Sequence, residues 1–387
     1  VPETVETAGP LAYRPLGYRP SLDGLRAFAV LLVAGVHTHP RLVPAGSIGV
    51  DIFFVLSGFL ITTLLVEELD GRGRVSIWRF YMRRALRLLP ALFGLLAAVT
   101  AWALVVATPD TRHNALREVL AAASYTRNLT WWADVPGPLL GHTWSLALEE
   151  QFYLVWPALL VLLLRPRRSG TTLAIVFLVS FVTISVLRIS GVVGPAALFI
   201  GRPDALLLGA AIALLRRDFP GRWGRPAAVS SAGVLVGVGT AGLVGIAAWD
   251  AGDDALGFGY TLAALAAATL IYGLVVLDEQ GPSRIFAWPP AVAFGRVSYG
   301  FYLWHLPVLR WTDDRLTGDP AAVRIAIGLA LALGATLLSY RLVEEPALRL
   351  KARFAPPASS GPIAQSRSDQ SRSDQSTSVP ATKELHD

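Results

Sequence analysis

Ten runs of roughly 20 mostly apolar residues dominate this sequence, near positions 22–38, 48–67, 85–107, 146–164, 171–189, 196–215, 228–248, 256–277, 291–311 and 321–343. A run of about that length crosses the hydrocarbon core of a bilayer as one helix. Inside lipid the backbone satisfies its hydrogen bonds within such a helix. Only 16% of the 387 residues are charged, whereas soluble domains carry about a quarter. The expected fold is therefore an all-α polytopic membrane protein of about ten transmembrane helices. "GVDIFF" and "GRPDALLLGA" interrupt the second and sixth runs, so one or two spans are expected to be broken or re-entrant.

Arginines supply an independent check on this topology. Arg72, Arg74, Arg79, Arg83, Arg84 and Arg87 fall between runs two and three, and Arg165, Arg167 and Arg168 between four and five. Arg216, Arg217, Arg222 and Arg225 separate runs six and seven; Arg14 and Arg19 precede the first run, and Arg349, Lys351 and Arg353 follow the last. Clusters in alternate loops obey the positive-inside rule and put both termini in the cytoplasm. Residues 1–20 then form a cytoplasmic N-terminal segment and 21–350 the membrane domain. The polar stretch 355–387, with its tandem "SRSDQ", reads as a disordered cytoplasmic tail. Trp131 and Trp132 sit in the longest outer connection like an interfacial belt. The first 20 residues show no cleavable-signal pattern, which leaves the first span as its own insertion signal.

Net charge is +6, and lysine occurs only at Lys351 and Lys383. Such a balance suits nucleic acid, anionic lipid or an anionic cosubstrate. Arginines clustered in alternate membrane loops favour membrane lipid and a cosubstrate, and no nucleic acid. The absence of cysteine excludes disulfides and thiolate chemistry. Six histidines without a metal-binding helix motif argue against a metal site.

Within this frame a few ionisable groups are costly enough to need a reason. Arg26 and His37 lie eleven positions apart in the first run, about 20° from a common helix face and roughly 16 Å apart along the axis. Either Arg26 snorkels to headgroups while His37 marks the helix end, or one face carries a cation and a titratable base. Arg83, Arg84 and Arg87 form "RRALRLLP" at the start of run three; they serve as membrane anchors or dock a phosphorylated cofactor through bidentate contacts. "GHTWSLALEEQFYLVWP" brings His142, Ser145, Glu149 and Glu150 to the start of run four. Ser145 reads as a helix N-cap with acidic first-turn neighbours, or His142 and Glu149 share a helix face as imidazole and orienting carboxylate. Gly49, Ser57 and Gly58 suit close helix packing or close ligand approach. Arg202 with Asp204, and Tyr299, Tyr302 and His305 ahead of Pro307, read as structural, the first as a buried ion pair and the second as an interfacial helix end.

Taken in order, "LDGLRAFAVLLVAGVH", "GVDIFFVLSGFLIT", "FYMRRALRLLPAL", "HTWSLALEEQFYLVWP", "SYGFYLWHLP" and "RLVEEP" resemble the acyltransferase 3 family of integral membrane O-acyltransferases of bacterial envelopes. The resemblance covers about residues 20–346. The family's Arg or Lys, ten residues, then His is met by Arg26 and His37, and its arginine pair separated by two residues by Arg84 and Arg87. The resemblance implies transfer of an acyl group, acetyl first, from acyl-CoA as cosubstrate to a hydroxyl of a carbohydrate or glycoside acceptor, in the bacterial cytoplasmic membrane. No permanently bound cofactor is expected. Many relatives carry a fused extracytoplasmic hydrolase-like domain; its place would be taken here by direct transfer or by a separate extracytoplasmic transferase partner.

The expected roles follow. Arg83, Arg84 and Arg87 hold CoA phosphates, Arg26 neutralises charge along the path, and His37 is general base. Glu149, assisted by His142 or Glu150, orients the imidazole or the acceptor. A transporter or flippase of a lipid-linked sugar is the competing class, favoured by the broken spans and opposed by the lack of an internal repeat.

Overall fold

The computed structural model describes residues 15–130, 135, 137–164, 169–192, 202–223, 225–250 and 252–354. Arg14, Trp131, Trp132, Arg165, Arg167, Arg168, the start of the sixth apolar run and the 355–387 tail lie outside them.

Apolar runs become helices with recognisable ends. Proline opens α1 (Pro20–Thr38), where its missing N–H costs nothing because the first helical N–H groups have no partner anyway. α2 (Gly49–Arg72) stops at Gly73, whose φ of 69° lets its N–H reach back to the Leu69 carbonyl. α3 (Ile77–Val105) is followed by α4 (Pro109–Ala123), capped by the Thr108 hydroxyl. Then come α5 (Trp144–Leu163), α6 (Gly170–Ile189), α7 (Pro203–Asp218), α8 (Pro226–Ala247), α9 (Gly252–Leu277), α10 (Pro289–Arg315) and α11 (Ala321–Ser339). A π turn, Tyr340–Glu344, carries the chain into α12 (Glu345–Lys351). Among the described residues every regular element is helical.

Among the described residues eight helices are long and apolar enough to cross a membrane: α1, α2, α3, α5, α6, α8, α9 and α11. The chain is a multi-pass membrane protein. Two of the ten expected spans stand apart for physical reasons. α7 has 16 residues, about 24 Å of rise against a core of about 30 Å. α10 is long enough, but Arg296, His305, Arg310 and its last-turn charges dilute its apolar character. The second span, expected to be broken, is one continuous helix. Its Asp51 is accommodated because Arg202 pairs with it.

The pairings α1 with α10, α2 with α7, α6 with α7, α8 with α9, and α10 with α11 build the bundle. Contact between α2 and α7 is backbone-close and reciprocal: a Cβ on Gly58 would run into the Leu206 carbonyl, and one on Gly209 into the Val55 carbonyl. The sequence left Gly58 between helix packing and ligand approach; packing is its role.

One end of the bundle gathers the arginines and ties them to carboxylates. Arg217 grips Asp70 at 2.6 and 2.8 Å, Arg216 lies 3.6 Å from Glu67, Arg83 lies 3.4 Å from Glu68, and Arg19 pairs with Asp278. Residues 15–19 are held against this basic end, with Leu16 buried and its N–H on Glu67 at 2.6 Å.

Candidate active site

A cavity of about 380 Å³ opens near Pro15, Leu16 and Glu67 at the basic end and runs between α1, α2, α3, α5 and α10. Arg26, Arg84 and Arg87 line its middle; Phe53, Ser57, Ser145, Glu149 and Tyr302 line its deeper part. Apolar walls from Leu60, Ile61, Leu64 and Leu146 suit a ligand with a flexible arm as well as a charged head.

Helix geometry sorts the three adjacent arginines. Arg84 and Arg87 are three apart and share a face of α3, and both line the cavity. Arg83, one position and 100° away, turns instead to Glu68 and to the Phe354 carbonyl at 3.1 Å; it does not line the cavity. Arg84 is committed within the protein: it lies 3.0 Å from Glu150 and 3.3 Å above the Tyr153 ring. Arg87 is exposed to the cavity and has no hydrogen bond or ion pair among the described residues. Arg26 holds the Ser298 hydroxyl at 3.3 Å and has no carboxylate partner among them.

The acidic cluster separates in the same way. Glu149 accepts hydrogen bonds from the Ser57 and Tyr153 hydroxyls, while Glu150 takes Arg84. His142 precedes α5, in the short turn Gly141–Thr143, so the expected common helix face with Glu149 does not form. Ser145 is not the N-cap; Thr143 occupies that position, and its hydroxyl donates to the Leu140 carbonyl at 2.7 Å instead of capping the helix. The Ser145 hydroxyl meets Tyr302 Oη at 2.6 Å, and Tyr302 in turn reaches the His142 carbonyl at 2.7 Å. A hydroxyl has one proton to give, and Ser145 also reaches the His142 carbonyl at 3.4 Å, so whichever of the two serves that carbonyl accepts from the other. Both side chains line the cavity, on the side that faces the His142 carbonyl.

Beyond Tyr302 lies a file of three imidazoles. His142 and His305 have ring centroids 5.2 Å apart, as do His305 and His37. His142 and His305 are buried; His37, at the end of α1 away from the basic end, is exposed. Each ring touches one backbone carbonyl: His37 Nδ1 on Val33 at 2.8 Å, His305 Nδ1 on Tyr302 at 2.6 Å, and His142 Nε2 on Leu303 at 3.2 Å. Carbonyl oxygens only accept, so each of those nitrogens carries a hydrogen and the other nitrogen bears the lone pair. His37 thus presents a basic Nε2.

Two of the residues around this file, Tyr302 and His305, were read from the sequence as structural. Pro307 suggested that the helix ended there, but α10 runs through it to Arg315. The available signal was their i, i+3 spacing, which puts both on the face of α10 that meets α1. Arg202 and Asp204 do not pair with each other either: Arg202 takes Asp51, and Asp204 takes Arg188 at 2.8 Å.

The family model of an acyltransferase domain, acyltransferase 3, matches residues 19–342. A chain of Staphylococcus aureus strain MSSA476 is 32% identical over 365 residues, 88% of this chain and 59% of its own length. The peptidoglycan O-acetyltransferase OatA of Listeria monocytogenes is 32% identical over 353 residues, covering 85% of this chain and 56% of that protein. The O-acetyltransferase OatA of Staphylococcus aureus is 32% identical over 355 residues, 85% and 57% of the two chains. This chain therefore spans somewhat more than half the length of the curated relatives it matches. No solved structure matches it. The ordered motifs, the matched span and the helical bundle agree, and the chain belongs to the acyltransferase 3 family.

Proposed function

We propose that this protein is a membrane-bound O-acyltransferase that moves an acyl group, acetyl first, from acyl-CoA to a hydroxyl of a carbohydrate-containing acceptor. The observation that carries the reading is the contrast among the arginines of the helical bundle. Arg83, Arg84, Arg188, Arg202 and Arg216 have carboxylate partners, while Arg26 and Arg87 line the cavity with none among the described residues. An unneutralised cation inside a membrane bundle is costly, and a phosphorylated ligand removes that cost when bound.

The basic end faces the cytosol, in keeping with the positive-inside rule, and acyl-CoA enters there. Its phosphates meet Arg87 and Arg26, with Arg84 beside them. The pantetheine arm extends along the apolar wall toward Ser145 and Tyr302. At the other face the acceptor hydroxyl approaches His37, whose Nε2 takes its proton as the oxygen attacks the thioester carbonyl. The C–S bond breaks and CoA leaves as the thiolate, which is then protonated. Contact between the two substrates requires the Ser145–Tyr302 pair to part. Glu149, held by Ser57 and Tyr153, sets the cavity wall, and Glu150 holds Arg84 in place from behind it; neither orients the imidazole. The name of the Listeria relative makes peptidoglycan the first acceptor to test, with envelope glycolipids and glycosylated metabolites next.

The test is turnover in detergent or nanodiscs with acetyl-CoA. Free CoA released only when acceptor is present, with an acetyl mass shift on the acceptor, is the expected result. His37→Ala should lower the rate by about 10²–10⁴-fold, the usual contribution of a general base. Near-normal transfer by a folded His37→Ala protein overturns the assignment of the base. Movement of a lipid-linked sugar without CoA release overturns the enzyme.

A further inference from the structure

The nitrogens that the imidazole file leaves unused carry one more step. His305 Nε2 and His142 Nδ1 are buried and have no hydrogen-bond partner among the described residues. Native proteins rarely leave such groups unsatisfied without a function. We propose that the proton taken by His37 is shared with His305 and His142, and that Pro307 prepares this group by withholding a helix hydrogen bond from Leu303. This rests on the acyltransferase reading for its purpose, though not for its test.

The argument runs from the backbone outward. Proline has no N–H, so Pro307 cannot bond to the carbonyl four residues earlier, which is that of Leu303. The freed oxygen is the one that His142 Nε2 occupies at 3.2 Å. His142 therefore keeps its hydrogen on Nε2 and its lone pair on Nδ1. His305 is fixed in the opposite tautomer by the Tyr302 carbonyl, with its lone pair on Nε2. When His37 accepts a proton, the new hydrogen is on Nε2, because Nδ1 already donates to Val33.

Ring spacing allows that hydrogen to be passed on. An N–H···N separation of about 2.9 Å plus about 1.1 Å from each nitrogen to its ring centre gives roughly 5.1 Å between centroids. The observed spacings are 5.2 Å for His37–His305 and 5.2 Å for His305–His142. The ring planes stand at 61° and 77° to each other, so the transfer requires a ring to turn until the two nitrogens face each other. In atoms, the hydroxyl proton moves to His37 Nε2, then to His305 Nε2 or His142 Nδ1, with no other bond changed; reverse transfer returns it to His37. Among the described residues, the charged group facing the file is Arg310 on α10, which is exposed beside His37, and Tyr302 is the titratable side chain in ring contact with His142 and His305. His305 and His142 are thus positioning residues for the base, and Pro307 acts through His142.

Protein labelled with ¹⁵N-histidine tests the idea without turnover. The expected result is that the His37, His305 and His142 resonances shift together over one titration, with His142 starting as the Nε2–H tautomer. In His305→Leu, His37 should titrate alone. In Pro307→Ala, the restored N–H competes for the Leu303 carbonyl, and His142 should lose its single-tautomer signature. Retained CoA affinity in each variant reports that the bundle is folded. Where transfer is active, His305→Leu should move the acid limb of the kcat/KM profile to lower pH and lower kcat, with KM for acetyl-CoA unchanged. Independent titration of His37 in the wild type, or a His305→Leu profile identical in shape to wild type, overturns the proposal. Absent turnover with a shared titration intact would instead count against the acyltransferase reading alone.

Discussion

Two charged regions of this bundle solve the same physical problem in opposite ways. Around α2, α6 and α7, Asp51 pairs with Arg202 and Asp204 with Arg188, all four residues buried. Arg188 also holds Thr261 at 2.8 Å, and Arg202 stacks 3.8 Å above Tyr260. The four charges cancel, and each guanidinium has a carboxylate partner and further contacts from neighbouring helices, with Arg202 Nε alone of their buried nitrogens left without a hydrogen bond among the described residues. In the cavity, Arg26 and Arg87 carry like charges into one space, and neither forms an ion pair with a carboxylate among the described residues. The first arrangement is complete in the free protein and pins helices together. The second is left open among the described residues, and on the function proposed above the phosphates of the acyl donor complete it.

The largest effect should come from breaking the closed region. Asp51→Ala leaves the Arg202 guanidinium buried and unpaired, a change that costs about 3–5 kcal/mol. Against a typical total of about 5–15 kcal/mol, this should sharply reduce the yield of monodisperse protein and its unfolding midpoint. Replacing both partners, Asp51→Leu with Arg202→Met, should recover most of the loss, because no charge is then stranded. An Asp51→Ala protein as stable as wild type would remove the distinction between the two regions.

The open region should respond in affinity rather than stability. Hydrogen bonds to charged groups are worth about 1.5–3 kcal/mol, so Arg87→Ala should weaken CoA binding by about 10- to 100-fold. Its unfolding midpoint without ligand should be unchanged or slightly higher, since Arg26 loses a like-charged neighbour. Arg83→Ala is the control: its contacts are Glu68 and the Phe354 carbonyl, and CoA affinity should hold. Calorimetric titration with CoA reads both. Equal weakening by the two variants would mean that the cavity does not single out Arg87.

Much of this was legible along the chain because it depends on local spacing. Apolar run length predicted the helices, and the separation of Arg26 from His37 placed them toward opposite ends of α1. The three-residue step from Arg84 to Arg87 put both on the cavity face. Choice of partner across the bundle was not legible. Arg202 lies two residues from Asp204 yet reaches Asp51, because the α2–α7 contact through Gly58 and Gly209 brings Asp51 closer in space than any sequence neighbour. Glu149 looked like a partner for His142 until the helix start at Trp144 rotated the two apart. Pro307 hid His305, since a proline that ends most helices here only frees one carbonyl.

A third buried charge sharpens the comparison, with the smallest expected effect. Glu118 on α4 is fully buried yet has no cation bonded to it among the described residues. It accepts the Leu139 and Leu140 N–H groups at 3.2 and 2.5 Å, which ties α4 to the segment just before His142. Burial pushes its carboxyl up from 4.5 to about 7, although the two N–H bonds and the Arg127 charge pull the other way. Below about 4.5 the group is neutral in both folded and unfolded chains; above about 7 it is ionised in both, and the folded state bears the desolvation. Its stabilising contribution is therefore present in full below about 4.5 and lost as the pH rises through about 7. Glu118→Gln keeps an acceptor oxygen for the two N–H groups and removes the ionisation. The variant's unfolding midpoint should change less than that of wild type between about pH 5 and about pH 8, with the gain at the alkaline side. An unchanged slope would assign the pH dependence to another group and leave Glu118 a neutral cap, closer in kind to the closed region than to the cavity.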